Sequence, residues 1–184
     1  MTRIPPLTVD HADDEQRRLL SDTQRQLGRV PNLYASMAHS PAALRGYLGL
    51  RDALAGGALG PVERELLALL VAQDNDCEYC VSAHSFRGDR MRISEEDLIR
   101  ARRADSQNPH TRAVLRLARS VLAQRGRVAD DELAEASAAG VTDAEVLEVV
   151  AHVALNALSN YVNHVARPPL DFPRVSTTVD EAAA

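Results

Sequence analysis

The sequence lacks lysine and tryptophan, and it contains few aromatic residues. All 21 basic residues are arginine, and aromatic residues make up 3% of the 184 positions. Without lysine, the chain cannot form a Schiff base with a substrate or with pyridoxal phosphate, and it cannot contain a phosphate-binding loop of the GK[ST] type. The shortage of aromatic residues argues against a sheet built on cross-strand aromatic pairs and against recognition of nucleic acid by base stacking.

The chain also lacks positive net charge and any long apolar run. The formal net charge is −5 at pH 7 and the pI is near 5.7, so we expect no nucleic-acid partner. The N-terminus has prolines and acids where a signal peptide would carry apolar residues, and no stretch of about 18 apolar residues occurs. We therefore expect a cytoplasmic protein without a membrane partner.

The abundant residues favour helices. The chain has 29 Ala and 23 Leu, which recur at three- and four-residue spacings between glycines and prolines. We predict an all-α fold in a single domain over residues 1–184, with an extended arm at 1–11 and a frayed tail at 174–184. Cap residues and breakers predict helices at about 13–27, 31–37, 41–55, 61–73, from a cap at 74–76 to 87, after 94, 109–125, 130–139 and 143–166.

Two of these predicted helices are unusually apolar. The 61–73 helix is apolar nearly all round, which indicates that it is buried within the fold or at a subunit contact. The last helix is rich in Val and Ala. Together they carry more apolar surface than a helical monomer of this size easily covers, so we expect a homo-oligomer.

The only two cysteines, Cys77 and Cys80, are spaced for redox or metal chemistry in a reducing compartment. In the first turn of a helix capped at 74–76, both sulfurs lie at the positive end of the helix dipole, which stabilises a thiolate. His84 follows Cys80 by four residues and shares its helix face, so it can exchange a proton with that sulfur. This base favours Cys80 as the attacking thiol, and we expect a more exposed Cys77 to resolve.

The acid that completes this arrangement is expected from the preceding helix. If the two helices form an antiparallel hairpin, Glu65 reaches His84 or a bound water and completes a proton relay. The order of an acid, an apolar helix and C-x-x-C-x-x-x-H resembles the alkylhydroperoxidase D-like branch of the carboxymuconolactone decarboxylase superfamily. In that branch the acid stands twelve residues before the first cysteine, which selects Glu65 over Glu63. The segments RVPNLYASMAHSPAALRGYLGL and NYVNHVARPPLDFP resemble flanking parts of its peroxidase-related members, so the likeness covers about residues 28–173.

The resemblance implies an oligomeric, all-α fold and a thiol peroxidase activity. It implies that Cys80 attacks the hydroperoxide and that Cys77 resolves the sulfenic acid to a disulfide, while Glu65 and His84 relay the proton. One residue departs from the pattern, because Tyr79 stands where the best-known branch often has histidine. A tyrosine hydroxyl can still donate a hydrogen bond there.

Other interpretations of these residues remain open at this point. A single C-x-x-C pair also occurs in structural zinc sites and as buried, inert cysteines, although zinc needs four ligands and no second cysteine pair exists. We expect no metal ion and no cofactor, and Val81 excludes covalent haem because that motif requires histidine there.

The last helix carries a polar stripe at four-residue steps, which contains His152, Asn156, Asn160 and His164. The stripe predicts either a hydrogen-bonded seam at a helix or subunit contact, or a pocket in which His152 or Asn156 joins Tyr79 beside the thiols.

The leading hypothesis is a hydroperoxide reductase whose C-x-x-C disulfide is recycled by an external dithiol or a thioredoxin-like reductant. A second hypothesis is a redox-responsive sensor or binding protein in which the same disulfide switches helix packing. A third is an enzyme resembling the lactone decarboxylases, but that branch does not use this C-x-x-C.

Overall fold

The computed structural model describes residues 1–178, and over this range the chain forms nine α-helices and no strand. A single 3-10 turn at Val9–His11 precedes them. The prediction of an all-α fold is therefore confirmed. The helices are α1 (Asp14–Leu27), α2 (Asn32–Met37), α3 (Pro41–Ala55), α4 (Pro61–Asp74), α5 (Glu78–Arg90), α6 (Glu95–Arg102), α7 (Pro109–Gln124), α8 (Asp130–Ala138) and α9 (Asp143–Ala166).

Local capping chemistry sets most of these boundaries. Asp13 accepts a hydrogen bond from the Gln16 backbone and forms a capping box at the start of α1, and Thr142 does the same with Glu145 at the start of α9. Gly28 ends α1 in the left-handed conformation, with φ of 73°. These are positions at which the sequence predicts starts and stops.

The start of α5 differs from the prediction, which placed its cap at 74–76. Asp74 is still helical at the end of α4, and Asp76 adopts a left-handed φ of 51° that turns the chain. Asp tolerates this conformation better than most residues because its short polar side chain bonds locally. The N-cap of α5 is therefore Cys77, whose side chain accepts from the Cys80 backbone.

Helix α4 lies at the centre of the molecule. It packs against α5, α6, α7 and α9, and every residue from 65 to 72 is buried. Of the two predicted environments for this apolar helix, the structure therefore shows burial within the fold. Its apolar surface is covered within the chain and supplies no argument for a subunit contact.

The two ends of the described chain are held against the helices. The backbone amides of Arg3 and Ile4 donate to the Ala166 carbonyl at 2.8 and 3.0 Å, which ties the N-terminal arm to the end of α9. Within the tail for which fraying was predicted, residues 174–178 bond to α4, α5 and α6. The remainder of that tail, residues 179–184, lies outside the described residues.

The contacts of residues 174–178 are specific. The Val175 backbone amide donates to Ser82 Oγ at 2.9 Å, and the carbonyl oxygens of Ser176 and Thr177 accept from Arg102 and Gln73. Within residues 1–178, none of the helices has the length and apolar character needed to cross a membrane.

Candidate active site

The hairpin of α4 and α5 brings together the predicted acid and base. Glu65 Oε1 lies 2.7 Å from His84 Nδ1, and the other carboxylate oxygen, Oε2, lies 2.8 Å from Arg87 Nη2. Glu65 is buried, whereas the Arg87 side chain reaches solvent. Sequence reasoning placed Glu65 against His84 only if these helices formed a hairpin, and it did not identify Arg87. The spacing of Arg87, three residues after His84 on the same helix, is the signal that was available.

The partners of Glu65 keep it ionised. Burial raises the pKa of this carboxyl, but the charge and the hydrogen bond of His84, together with the charge of Arg87, outweigh burial and lower the pKa below its ordinary value. Facing a carboxylate, His84 Nδ1 carries its proton and donates it to the hydrogen bond. When the ring is neutral, Nε2 holds the lone pair and is the nitrogen that can accept a proton; when the ring is charged, it forms an ion pair with Glu65.

Cys77 and Cys80 form a disulfide at the start of α5, with their Cα atoms 5.2 Å apart. As the N-cap residue, Cys77 presents its Sγ to the Cys80 backbone amide at 3.4 Å. Cys80 is in the first turn and lies one turn before His84. The structure thus brings the two sulfurs, the imidazole and Glu65 to one hairpin, which is the arrangement the sequence predicts.

The expectation that Cys77 is the more exposed thiol is wrong. Cys77 is 2% exposed and Cys80 is 3% exposed, so burial does not distinguish them. The reason is that α5 starts at a turn packed inside the fold, because the chain after 170 runs back across its first turns. What distinguishes the two sulfurs is their hydrogen-bond donors.

The Cys80 sulfur has a side-chain donor that sequence reasoning missed. Asn163 Nδ2, near the C-terminal end of α9, lies 3.0 Å from Cys80 Sγ. The predicted polar stripe advanced in steps of four residues and reached His164 instead. An α-helix repeats every 3.6 residues, so after three turns the face that begins at His152 arrives at Asn163. His164 is exposed and contacts the Asn75 carbonyl oxygen at 2.9 Å through Nε2.

The structure does not bring the predicted pocket residues on α9 beside the disulfide. His152 is buried three turns before Asn163, about 16 Å along the helix axis. Its pKa is lowered by burial and by the charge of Arg64, against the opposing charge of Glu148. The Asn156 amide donates to the His152 carbonyl at 2.8 Å, which is a bond within the helix.

Tyr79 faces the C-terminal segment and not the sulfurs. Its hydroxyl donates to Asp171 Oδ1 at 2.5 Å and accepts from the Leu33 backbone amide at 3.2 Å. Burial and the hydrogen bond to Asp171 raise the pKa of the phenol, so it stays protonated. The ring packs edge-on against Phe172, with centroids 5.6 Å apart. These contacts give Tyr79 a structural environment.

Within residues 1–178, no cluster of three or more His, Cys, Asp and Glu side chains is arranged to hold a metal ion. The site is therefore a disulfide flanked by a histidine–carboxylate pair on one helix hairpin and by an asparagine from a third helix. Such a group can exchange electrons through sulfur and protons through imidazole.

Comparison with known proteins agrees with this description. Residues 41–120, which include both cysteines, Glu65 and His84, match the model of the carboxymuconolactone decarboxylase family. No curated protein matches the sequence. The solved structures that share the fold include the three that follow, each at most 24% identical to this chain.

The first is the alkylhydroperoxidase AhpD core of an uncharacterized peroxidase-related protein from Ralstonia eutropha JMP134. Its TM-score is 0.78 at 24% identity, over 94% of each chain. The second is an uncharacterized peroxidase-related protein from Silicibacter sp. TM1040, with a TM-score of 0.76 at 19% identity, over 94% of this chain and 93% of that one. The third is the debrominase Bmp8 in complex with 2,3,4-tribromopyrrole, with a TM-score of 0.73 at 18% identity, over 93% of this chain and 92% of that one.

The fold and the site define a helical protein built around a C-x-x-C pair. The match of residues 41–120 to the carboxymuconolactone decarboxylase family and the fold shared with the AhpD core support an alkylhydroperoxidase D-like member of that superfamily. The resemblance found in the sequence is confirmed.

Proposed function

We propose that the protein is a thiol-dependent hydroperoxide reductase in which Cys80 attacks the peroxide and Cys77 resolves the product. The observation that carries this proposal is the pair of buried Glu65 and partly buried His84, one helical turn from a sulfur that is already joined to its neighbour. A structural disulfide needs no such pair, because it exchanges no protons.

The first step oxidises the thiolate of Cys80. Nε2 of His84 takes the thiol proton, directly or through one water, and Glu65 stabilises the imidazolium that results. The thiolate attacks the terminal oxygen of the hydroperoxide, the O–O bond breaks, and the sulfur becomes a sulfenic acid. The alkoxide that leaves takes its proton from His84 and departs as an alcohol.

The second step closes the disulfide. The thiol of Cys77 attacks the sulfur of the Cys80 sulfenic acid, and water leaves after taking the thiol proton. The S–S bond observed between the two residues is the product of this step. The structure therefore corresponds to the oxidised enzyme.

A dithiol must then return the enzyme to its reduced form. An external dithiol or a thioredoxin-like protein supplies two electrons by thiol–disulfide exchange, and the compartment that maintains such donors is the cytoplasm. Because both sulfurs are buried, we expect a small dithiol to react faster than a protein donor unless the turn before α5 opens.

The test is steady-state consumption of an alkyl hydroperoxide with dithiothreitol as the electron donor. The proposal predicts catalytic turnover that is lost in Cys80→Ser. Turnover of less than one equivalent per protein, with a disulfide that forms and breaks reversibly, would favour a redox-responsive sensor instead. Since the debrominase shares this fold, a brominated pyrrole is included as a second substrate, and bromide release without peroxide consumption would overturn the proposal.

A further inference from the structure

Only one of the two polar groups of the Asn163 side chain has a hydrogen-bond partner among the described residues. Its amide Nδ2 donates to Cys80 Sγ, while its carbonyl Oδ1 is buried and forms no hydrogen bond with any residue from 1 to 178. The residue is 6% exposed. A buried carbonyl without a donor is costly, so a bound molecule that donates a hydrogen bond to this oxygen is favoured beside the sulfur.

The amide donor separates the two sulfurs chemically. Cys77 Sγ accepts from a backbone amide at 3.4 Å, and Cys80 Sγ accepts from the Asn163 side chain at 3.0 Å. A hydrogen bond to a thiolate is stronger than one to a disulfide sulfur because the acceptor is charged. Asn163 therefore favours the reduced, ionised state of Cys80.

We propose that Asn163 is a catalytic residue that stabilises the Cys80 thiolate through Nδ2 and accepts the O–H of the bound hydroperoxide through Oδ1. This inference rests on the proposed function and names the residue that orients its substrate. The O–H oxygen is the one attacked, so an acceptor beside the sulfur directs that oxygen toward Sγ. After attack, the same Oδ1 accepts the O–H of the sulfenic acid, so no new donor is required.

The proposed stabilisation of the Cys80 thiolate by Nδ2 can be tested without any peroxide. In a Cys77→Ser background, the ultraviolet absorbance of the Cys80 thiolate is titrated against a protein that lacks both cysteines. Asn163→Leu removes the amide without adding charge, and we expect the titration midpoint to rise by about one to two pH units. Asn160→Leu, which removes a buried amide one turn earlier on α9, is the matched control and should shift the midpoint far less.

An unchanged midpoint in Asn163→Leu, or an equal rise in Asn160→Leu, would overturn the proposed role of Nδ2 in stabilising the thiolate. Because the readout needs no turnover, its failure is distinguishable from a failure of the peroxidase proposal. Asn163→Gln retains an amide, and its midpoint should lie between those of the wild-type side chain and leucine. If Asn163→Leu does not fold, Asn163→Gln alone provides the test. The proposal requires the amide to lie where asparagine places it beside Cys80 Sγ, so an unshifted midpoint in Asn163→Gln would contradict it.

The proposed role of Oδ1 in holding the hydroperoxide is tested by the rate of sulfenic acid formation. The rate is measured at a pH above the thiol titration midpoints of both the parent and Asn163→Leu. Under these conditions Cys80 is fully ionised in each protein, so any remaining difference reports how the peroxide is held. We expect Asn163→Leu to react about tenfold more slowly than the parent. Equal rates would overturn the role of Oδ1 and leave only the stabilised thiolate.

Discussion

Helix α4 carries two glutamates, Glu63 and Glu65, and each holds a histidine Nδ1 through its Oε1 atom. The distances are 2.9 Å to His110 and 2.7 Å to His84. The two carboxylates differ in what surrounds the pair. The His84 side chain is 13% exposed and lies one turn after a cysteine, whereas the His110 side chain is 30% exposed and lies at the start of α7.

The Glu63 pair joins three helix starts. Glu63 also accepts from Thr111 Oγ1 at 3.2 Å and from the Gly60 backbone amide at 3.2 Å, and His110 Nε2 lies 3.3 Å from Glu145 Oε1. Both ring nitrogens of this histidine therefore face carboxylates, so neither is free to take a proton from a neighbouring thiol. A histidine–glutamate pair can serve a thiol as its base only where one ring nitrogen is left available beside that thiol.

The Glu65–His84 and Glu63–His110 pairs should differ most when the negative charge of the glutamate is removed. We predict that Glu65→Gln lowers peroxidase turnover by about 10²-fold or more, because the neutral amide no longer stabilises the His84 imidazolium. The matched variant Glu63→Gln should change turnover by less than about threefold. The measurement is hydroperoxide consumption at neutral pH with excess dithiothreitol, with the fold of each variant checked by circular dichroism. Comparable losses in the two variants would show that the pairs are not functionally distinct.

An intermediate effect is expected at Tyr79. Its hydrogen bonds join separate segments of the chain, as those of the Glu63–His110 pair do, and do not face the sulfurs. Tyr79→Phe leaves the Leu33 amide and Asp171 without this hydroxyl, so we predict a loss of about 1–3 kcal/mol in the free energy of unfolding. Turnover should stay within about threefold of wild type because the hydroxyl does not face the sulfurs. Urea denaturation and the peroxidase assay check the two parts. A large loss of turnover with unchanged stability would return Tyr79 to the proton relay.

The smallest effect is a pH dependence of stability at the Glu63 pair. Burial lowers the pKa of His110, but its hydrogen bond to Glu63 and the charge of Glu145 outweigh burial and raise the pKa above its ordinary value. A histidine with a raised folded-state pKa stabilises the fold fully below its unfolded pKa of about 6.5. That stabilisation is lost as the pH rises through the folded-state pKa.

We therefore predict that wild type melts at most about 3 °C above His110→Asn near pH 5.5, and that the difference shrinks toward pH 9. Thermal melts of both proteins at the two pH values measure it. A difference that grows with pH would contradict a raised pKa of His110 in the folded state.

Most of the fold follows from the sequence because its helix boundaries are local. Asp13, Ser40, Ser94 and Thr142 cap helices with their own side chains, and these bonds depend on residues within the next turn. The Glu65–His84 contact is also predictable, since a short turn between α4 and α5 leaves an antiparallel hairpin as the simplest arrangement.

The rest of the site depends on contacts between segments that are distant in the sequence. Asn163 reaches Cys80 across 83 positions, and its identification requires the rotation of α9 to be known within one residue. Burial of Cys77 depends on how the segment after 170 crosses α5, which no local pattern encodes. Each four-residue step along α9 rotates the position by about 40° around the helix axis, because a full turn takes 3.6 residues. The predicted stripe therefore ended on exposed His164.

The division of roles between Cys80 and Cys77 is tested most directly by intact-mass spectrometry of Cys77→Ser and Cys80→Ser after one equivalent of an alkyl hydroperoxide, with a dimedone-type probe present. We expect Cys77→Ser to gain the mass of one trapped sulfenic acid and Cys80→Ser to gain none, because Cys80 has the Asn163 donor and lies one helical turn from His84. Trapped sulfenic acid in Cys80→Ser and none in Cys77→Ser would reverse the roles of the two thiols. Absence of oxidation in both variants and in wild type would contradict the peroxidase proposal itself.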